Sequence, residues 1–221
     1  MSVFEKWAWI KRNWTYIVEE ASQLDLVFVG GTALNLALFE EYRASEDIDL
    51  YDPNSNNIGT DHEEKMAEQL SQRLLEKGFE IKSRNKHTLW IGPNIKVDVF
   101  NNGTIFNRVE KKIVEQAEVL LFDLQAYADM KMRSLLCRST YDARDLVDLF
   151  VIQKETDSGL SFPQQECEVI EQRYNERLQD IKKTKKEGLL VFQTRNQVAG
   201  LPYDEFDDFR RRMYEWLSGF R

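Results

Sequence analysis

Cysteine is scarce in this 221-residue chain: Cys137 and Cys167 form no metal or redox motif, and free thiols in a cytosolic protein are the simplest expectation. His62 and His87, with the two cysteines, make no nucleophile or ligand set. No apolar run approaches the length that spans a bilayer, and Met1-Ser-Val-Phe-Glu-Lys-Trp7 has neither the charged start nor the continuous apolar stretch of a signal peptide. These absences point to the cytoplasm and away from the membrane. Also missing are Gly-x-x-x-x-Gly-Lys-[Ser/Thr] and Gly-x-Gly-x-x-Gly, which removes ordinary ATPase and dinucleotide readings. Positive charge is in deficit as well. A net charge of −8 disfavours general nucleic-acid binding. Local basic surfaces are limited to Lys111-Lys112, to Lys131 with Arg133 and Arg138, and to Lys182-Lys183-Thr-Lys185-Lys186, each also readable as a solvated face.

What is present is a globular composition, 42% apolar and 31% charged, long enough for one large domain or two small ones. The most informative stretch runs from Val29 to Leu50. Val29-Gly30-Gly31-Thr32-Ala33-Leu34 reads as a strand and a glycine turn opening a helix, and Asp47-Ile48-Asp49-Leu50 as a second strand. Strand residues two apart share a face, so Asp47 and Asp49 stand together while Ile48 and Leu50 enter the core. Two carboxylates held so closely repel, and a divalent cation would relieve that repulsion. Glycines at a helix start let a phosphate approach the free backbone N–H groups, and the Thr32 hydroxyl can donate. The bland alternative is an exposed strand face beside an ordinary turn, although aspartate is depleted in strands.

Around this stretch the pattern alternates between helix and strand. Residues 4–23 read as an amphipathic helix carrying Phe4, Trp7, Trp14, Ile17 and Val18, residues 26–29 as a buried strand, and residues 32–41 as a largely buried helix. Asp52 to Asn57 reads as a loop. Asp61 with Glu64 suggests a capping box for a helix carrying Met66, Leu70 and Leu74 and stopped by Gly78. Residues 79–83, 88–91 and 95–100 read as strands. In the last of these, Ile95, Val97 and Val99 face the core, leaving Lys96 and Asp98 outward. Asp98 would complete a three-carboxylate set with Asp47 and Asp49. After about residue 105 the character changes. A short strand at 119–122 is followed by helices at 123–138, about 143–152, near 163–186 and 203–219, with Asp123 and the 139–142 segment as caps and loops at 157–163 and around Gly188, Asn196, Gly200 and Pro202. The expected architecture is α+β: a mixed sheet packed by helices over 1–114, followed by a helical region over 115–221.

Gly30-Gly31-Thr32, followed about fifteen residues later by Asp47-x-Asp49, resembles the DNA-polymerase-β-like nucleotidyltransferase superfamily. With Arg43 and Ser45, the fuller string resembles the AbiEii/MenT-type toxin nucleotidyltransferases of toxin–antitoxin and phage-exclusion systems. The resemblance implies a nucleotidyltransferase-like sheet and transfer of NMP from an NTP to an acceptor hydroxyl. It implies Mg²⁺ or Mn²⁺ on Asp47, Asp49 and Asp98, with phosphates cradled by Gly30, Gly31 and Thr32. The segment from Arg43 to Ser45 would border the nucleotide, and a guanidinium can grip two phosphate oxygens.

A second signature of the same group is matched by Lys131, Arg138 and Arg144-Asp145-Leu-Val-Asp148-Leu. Lys131 would reach the triphosphate, and Asp145 or Asp148 would support the site, the helical region thereby completing it. A salt-bridged helix pair is the compatible structural alternative. The acceptor stays open among a tRNA 3′ end, a protein hydroxyl and a small molecule such as an aminoglycoside. A toxin would have a cognate antitoxin protein. The alternatives are a catalytically degenerate module that docks a partner, and a plain α+β domain with a solvated aspartate pair.

Overall fold

A computed structural model describes residues 1–55, 61–101, 108–155, 168–184 and 203–219. The chain divides into two compact units, Met1–Asp123 and Leu124–Arg221.

In the first unit, helix α1 (Val3–Ser22) starts at a reciprocal cap. Ser2 donates its backbone N–H to Glu5 Oε2 at 2.7 Å, and the Glu5 N–H donates to Ser2 Oγ at 3.3 Å. Trp7, Ile10, Trp14, Ile17, Val18 and Ala21 form its buried stripe, while Phe4, in the first turn, is left largely exposed. The strands are β1 (Val27–Val29), β2 (Asp47–Tyr51), β3 (Ile81–Asn85), β4 (Thr88–Ile91) and β5 (Ile95–Phe100). They form one mixed sheet in the order β1-β2-β5-β4-β3, with β2 and β5 parallel and the other pairs antiparallel. The crossover that permits the parallel pair contains α3 (Asp61–Glu76). Helix α1 packs on β1 and β2, α3 packs on β3, β4 and β5, and the two helices touch. Ile48, Leu50, Val97 and Val99 are fully buried, and the intervening Asp47, Asp49, Lys96 and Asp98 stay partly exposed on the opposite face.

Several boundaries differ from the sequence expectation. Asp61 is the first helical residue of α3, so it does not occupy the capping position before the helix. The C-terminal stop does fall at Gly78, whose φ of +86° suits a residue without Cβ. The helix expected over 32–41 is instead a short α-helical turn, α2 (Gly30–Ala33), widening into a π-turn over Leu34–Leu38. Phe39 N–H reaches back five residues to Leu34 O at 2.9 Å, and the chain then becomes extended.

The sequence reading also misses a strand. Strands β6 (Val109–Val114) and β7 (Ala117–Phe122) form a separate hairpin. Its connection, Glu115-Gln116, has φ of +48° and +72°, values usually taken by Asn-Gly. The compact units part after this hairpin, at Asp123 rather than at 114, because β7 packs on α1 and β1. The Leu120 N–H donates to Ser22 Oγ at 3.1 Å, and the Phe122 ring meets Tyr51 edge-on at 5.5 Å.

The second unit comprises α4 (Leu124–Cys137), α5 (Ala143–Glu155), α6 (Glu168–Lys183) and α7 (Tyr203–Ser218) among its described residues. Asp142 Oδ1 accepts the Arg144 N–H at 2.9 Å and caps α5. Phe150 of α5 packs edge-on against Phe206 and Phe209 of α7, with ring centroids 5.7 and 5.5 Å apart. Cys137 is disulfide-bonded, which corrects the free-thiol expectation for that residue. Cys167 lies outside the described residues, as do Asn56, Asn57, Lys185, Lys186, the 157–163 loop and the Gly188, Asn196, Gly200 and Pro202 breaks.

At the carboxyl end of β2 and β5, Asn101 is almost fully buried. Its Nδ2 donates to Asp52 O and Ser55 O, each at 2.7 Å, and its Oδ1 accepts from Tyr51 Oη at 3.2 Å. Asn101→Ala removes these three hydrogen bonds from a buried position. The expected cost is about 3 kcal/mol in urea unfolding; a loss under about 0.5 kcal/mol would contradict the assigned role.

Candidate active site

The parallel register of β2 and β5 builds the first cluster. Asp49 pairs with Asp98, and Asp47 pairs with Lys96. Adjacent strands lie about 4.8 Å apart and the four residues share a face, so the result is a patch of three carboxylates and one ammonium. Antiparallel β4 extends it by setting Thr88 beside Asp98. Asp98 is anchored at both oxygens: Thr88 Oγ1 donates to Oδ1 at 2.6 Å, and Lys96 Nζ donates to Oδ2 in a close ion pair. Burial pulls the Lys96 ammonium downward in pKa. Its hydrogen bond to Asp98 and the charges of Asp98, Asp49 and Asp47 outweigh that pull and hold it above the ordinary lysine value.

The glycine turn lies against this patch. Gly30 has φ of +77°, and a Cβ there would run into the Asp49 carboxylate. A Cβ on Gly31 would run into the Arg43 guanidinium. Arg43 and Ser45 are buried, with Arg43 donating to Ala44 O at 2.9 Å and Ser45 Oγ to Asp47 Oδ1 at 3.4 Å. Thr32 is also buried. Its hydroxyl donates to Asp47 O at 2.5 Å, tying the glycine turn to β2. Asn35, which sequence reasoning passed over, braces the segment. Its Nδ2 donates to Gly31 O at 2.7 Å, and its Oδ1 accepts the Tyr42 and Arg43 N–H groups at 3.0 Å each. Lys96 and Thr88 were likewise missed. Lys96 was legible in principle, because it stands two residues before Asp98 on the same strand face.

Gly30, Gly31, Thr32, Arg43, Ser45, Asp47, Asp49 and Asp98 are thus gathered in the first unit. Among the described residues, however, no three His, Cys, Asp or Glu side chains are arranged to hold a metal ion as they stand. The donor chemistry itself suits a hard divalent cation: carboxylate oxygens on one sheet face, with an ammonium already drawn to them.

The second unit holds its own cluster. Lys131 Nζ lies 3.1 Å from Asp145 Oδ1 and 2.7 Å from Asp148 Oδ2, and Arg138 reaches Asp145 Oδ2 at 3.2 Å. Both carboxylates and Lys131 are buried. The spacings arise because residues three and seven apart on a helix share a face. Two of the basic groups noted in the sequence are neutralised locally. Lys131 and Arg138 belong to this cluster, while Lys111 pairs with Glu118 at 2.6 Å and Lys112 with Glu110 at 3.4 Å.

The mixed sheet carries a glycine turn beside Asp-x-Asp and a third aspartate on the neighbouring parallel strand, the arrangement expected from the resemblance to nucleotidyltransferases. The family model described as "Nucleotidyl transferase AbiEii toxin, Type IV TA system" matches residues 15–215, and the chain belongs to that family. Among solved structures, JHP933 from Helicobacter pylori is 16% identical, with 92% of this chain and 89% of that chain covered at a TM-score of 0.50. An antigenic nucleotidyltransferase-like protein from Paracoccidioides brasiliensis is 19% identical, with 79% and 89% covered at a TM-score of 0.49. A search among curated proteins returned no match. No helix among the described residues is long and apolar enough to cross a membrane.

Two stability measurements check the local geometry. Gly30→Ala imposes a left-handed backbone on a residue with Cβ and displaces Asp49; it should cost at least about 1–2 kcal/mol, and wild-type stability would contradict the close approach. Lys131→Met removes an ion-pair partner from two buried carboxylates. It should destabilise the chain by about 3–5 kcal/mol, and a change within 0.5 kcal/mol by the same unfolding assay would show that the cluster is not coupled.

Proposed function

We propose that the protein transfers a nucleoside monophosphate from an NTP to an acceptor hydroxyl with a divalent metal, Mg²⁺ or Mn²⁺, and that it does so in the cytoplasm as the toxin component of a toxin–antitoxin or abortive-infection pair. The observation that carries this is the register of β2 and β5, which sets Asp49 beside Asp98 with Asp47 on the same face, next to the Gly30-Gly31 turn. Asp47, Asp49 and Asp98 would hold the cation. When bound there, it supplies charge neutralisation for a triphosphate and makes a coordinated hydroxyl easier to deprotonate.

The chain's own contribution is placement. The glycine turn would present backbone N–H groups to a phosphate, and Arg43 brings a guanidinium beside Gly31. Thr32 fixes the turn to β2 through Asp47 O. Asp98 is suited to accept the proton of the attacking hydroxyl. For Lys131, with Asp145 and Asp148 holding its ammonium, the family resemblance supports a role toward the triphosphate. The first acceptor to test is a tRNA 3′ end, ahead of proteins and small molecules, and the partner would be a cognate antitoxin.

Calorimetric titration of the four NTPs with Mg²⁺ tests the reading on wild type and on Asp47→Ala/Asp49→Ala. At least one NTP should bind the wild type in a Mg²⁺-dependent manner, with affinity at least about 50-fold weaker in the double variant; the loss of two charged ligands, at about 1.4 kcal/mol per tenfold, makes such a drop modest. Absence of binding at millimolar NTP would favour the module that docks a partner without turnover.

A further inference from the structure

We propose that Lys96 is a built-in counterion that takes the cation's place at the Asp47/Asp49/Asp98 patch in the metal-free protein and sets the affinity for divalent metal by competing for Asp98. The inference rests on the metal-dependent reading above. Lys96 is in register with Asp47 on the neighbouring strand, and its ammonium is paired with Asp98 Oδ2. It therefore stands among the carboxylates that would ligate a metal. Thr88 holds the other Asp98 oxygen at 2.6 Å. Both Asp98 oxygens are thus engaged, one by Thr88 and the other by Lys96.

A divalent ion and an ammonium cannot share this patch without strong repulsion. Thr88 need not move, because a carboxylate has about four lone-pair sites and a hydroxyl uses one. Lys96 must move. Its side chain is 38% exposed, and its four-carbon stem is flexible enough to carry the ammonium into solvent. The exchange replaces one positive charge by two, which suits a site that must remain folded when empty and become catalytic only when loaded.

The test is calorimetric titration of Mn²⁺ alone into the full-length chain as wild type, Lys96→Met and Asp98→Asn. The expected result is at least tenfold tighter Mn²⁺ binding by Lys96→Met than by wild type, with Asp98→Asn weaker than either. Affinity that is unchanged or lower in Lys96→Met overturns the inference. Because Lys96→Met strips the patch of its counterion and can fail to fold, a second measurement uses the wild type. The rate at which an amine-specific reagent labels Lys96, followed by peptide mass spectrometry against the other lysines, should rise at least threefold when Mn²⁺ saturates the site. An unchanged or slower rate overturns the inference. If Mn²⁺ binds wild type through Asp98 and Lys96 responds in neither assay, the counterion role alone falls. If Mn²⁺ binds neither wild type nor Lys96→Met, the metal-dependent reading falls with it.

Discussion

Like charges placed side by side dominate this protein's first unit. Asp49 and Asp98 are cross-strand neighbours and Asp47 stands two residues away on the same face. Two carboxylates about 5 Å apart at an effective dielectric near 20 repel by roughly 3 kcal/mol. The parallel pairing of β2 and β5 is strong enough to impose that arrangement because Ile48, Leu50, Val97 and Val99 are fully buried on the other face. A one-residue slip of β2 against β5 would expose Ile48 and Leu50 and bury Asp47 and Asp49. The hydrophobic pattern thus holds the carboxylates together, and Lys96, Thr88 and Ser45 moderate the repulsion that results.

The glycine turn follows from the same constraint. Asp49 leaves no room for a Cβ on Gly30, and Arg43 leaves none for one on Gly31. Asn35 closes the turn over Arg43, which explains why the helix after Gly30 opens into a π-turn instead of continuing to residue 41. The polar demands of one buried asparagine outweigh the helical propensity of Leu34-Asn-Leu-Ala-Leu38.

Much of this was legible in the chain. The alternation Ile95-Lys-Val-Asp-Val99 placed Asp98 outward, and the α+β order with its helix-covered sheet followed from periodicity. What escaped notice lacked a local signal. Strand β6 carries Glu110, Lys111 and Lys112 between exposed Val109 and Ile113, and its turn uses Glu115-Gln116 in place of glycine or asparagine. Neither composition nor turn chemistry announces a hairpin there; the packing of β7 on α1 and β1 stabilises it. The pairing of Asp98 with Lys96 escaped for a different reason. The sequence shows that both point outward, but only the side-chain positions show that one neutralises the other. The Lys131 cluster was visible as a spacing pattern, and its burial as an ion-paired set was not.

Family membership makes the chain a nucleotidyltransferase, and the carboxylate patch beside the glycine turn is our proposed seat of that chemistry. The most direct test is the fate of the phosphates. The full-length chain would be incubated with Mg²⁺ and total RNA or cell protein, using NTPs labelled in parallel at the α- and γ-phosphates. The account predicts that α-label passes to an acceptor while γ-label leaves as pyrophosphate, and that Asp98→Asn abolishes the transfer. Transfer of the γ-label, or α-label transfer that survives Asp98→Asn unchanged, would contradict it.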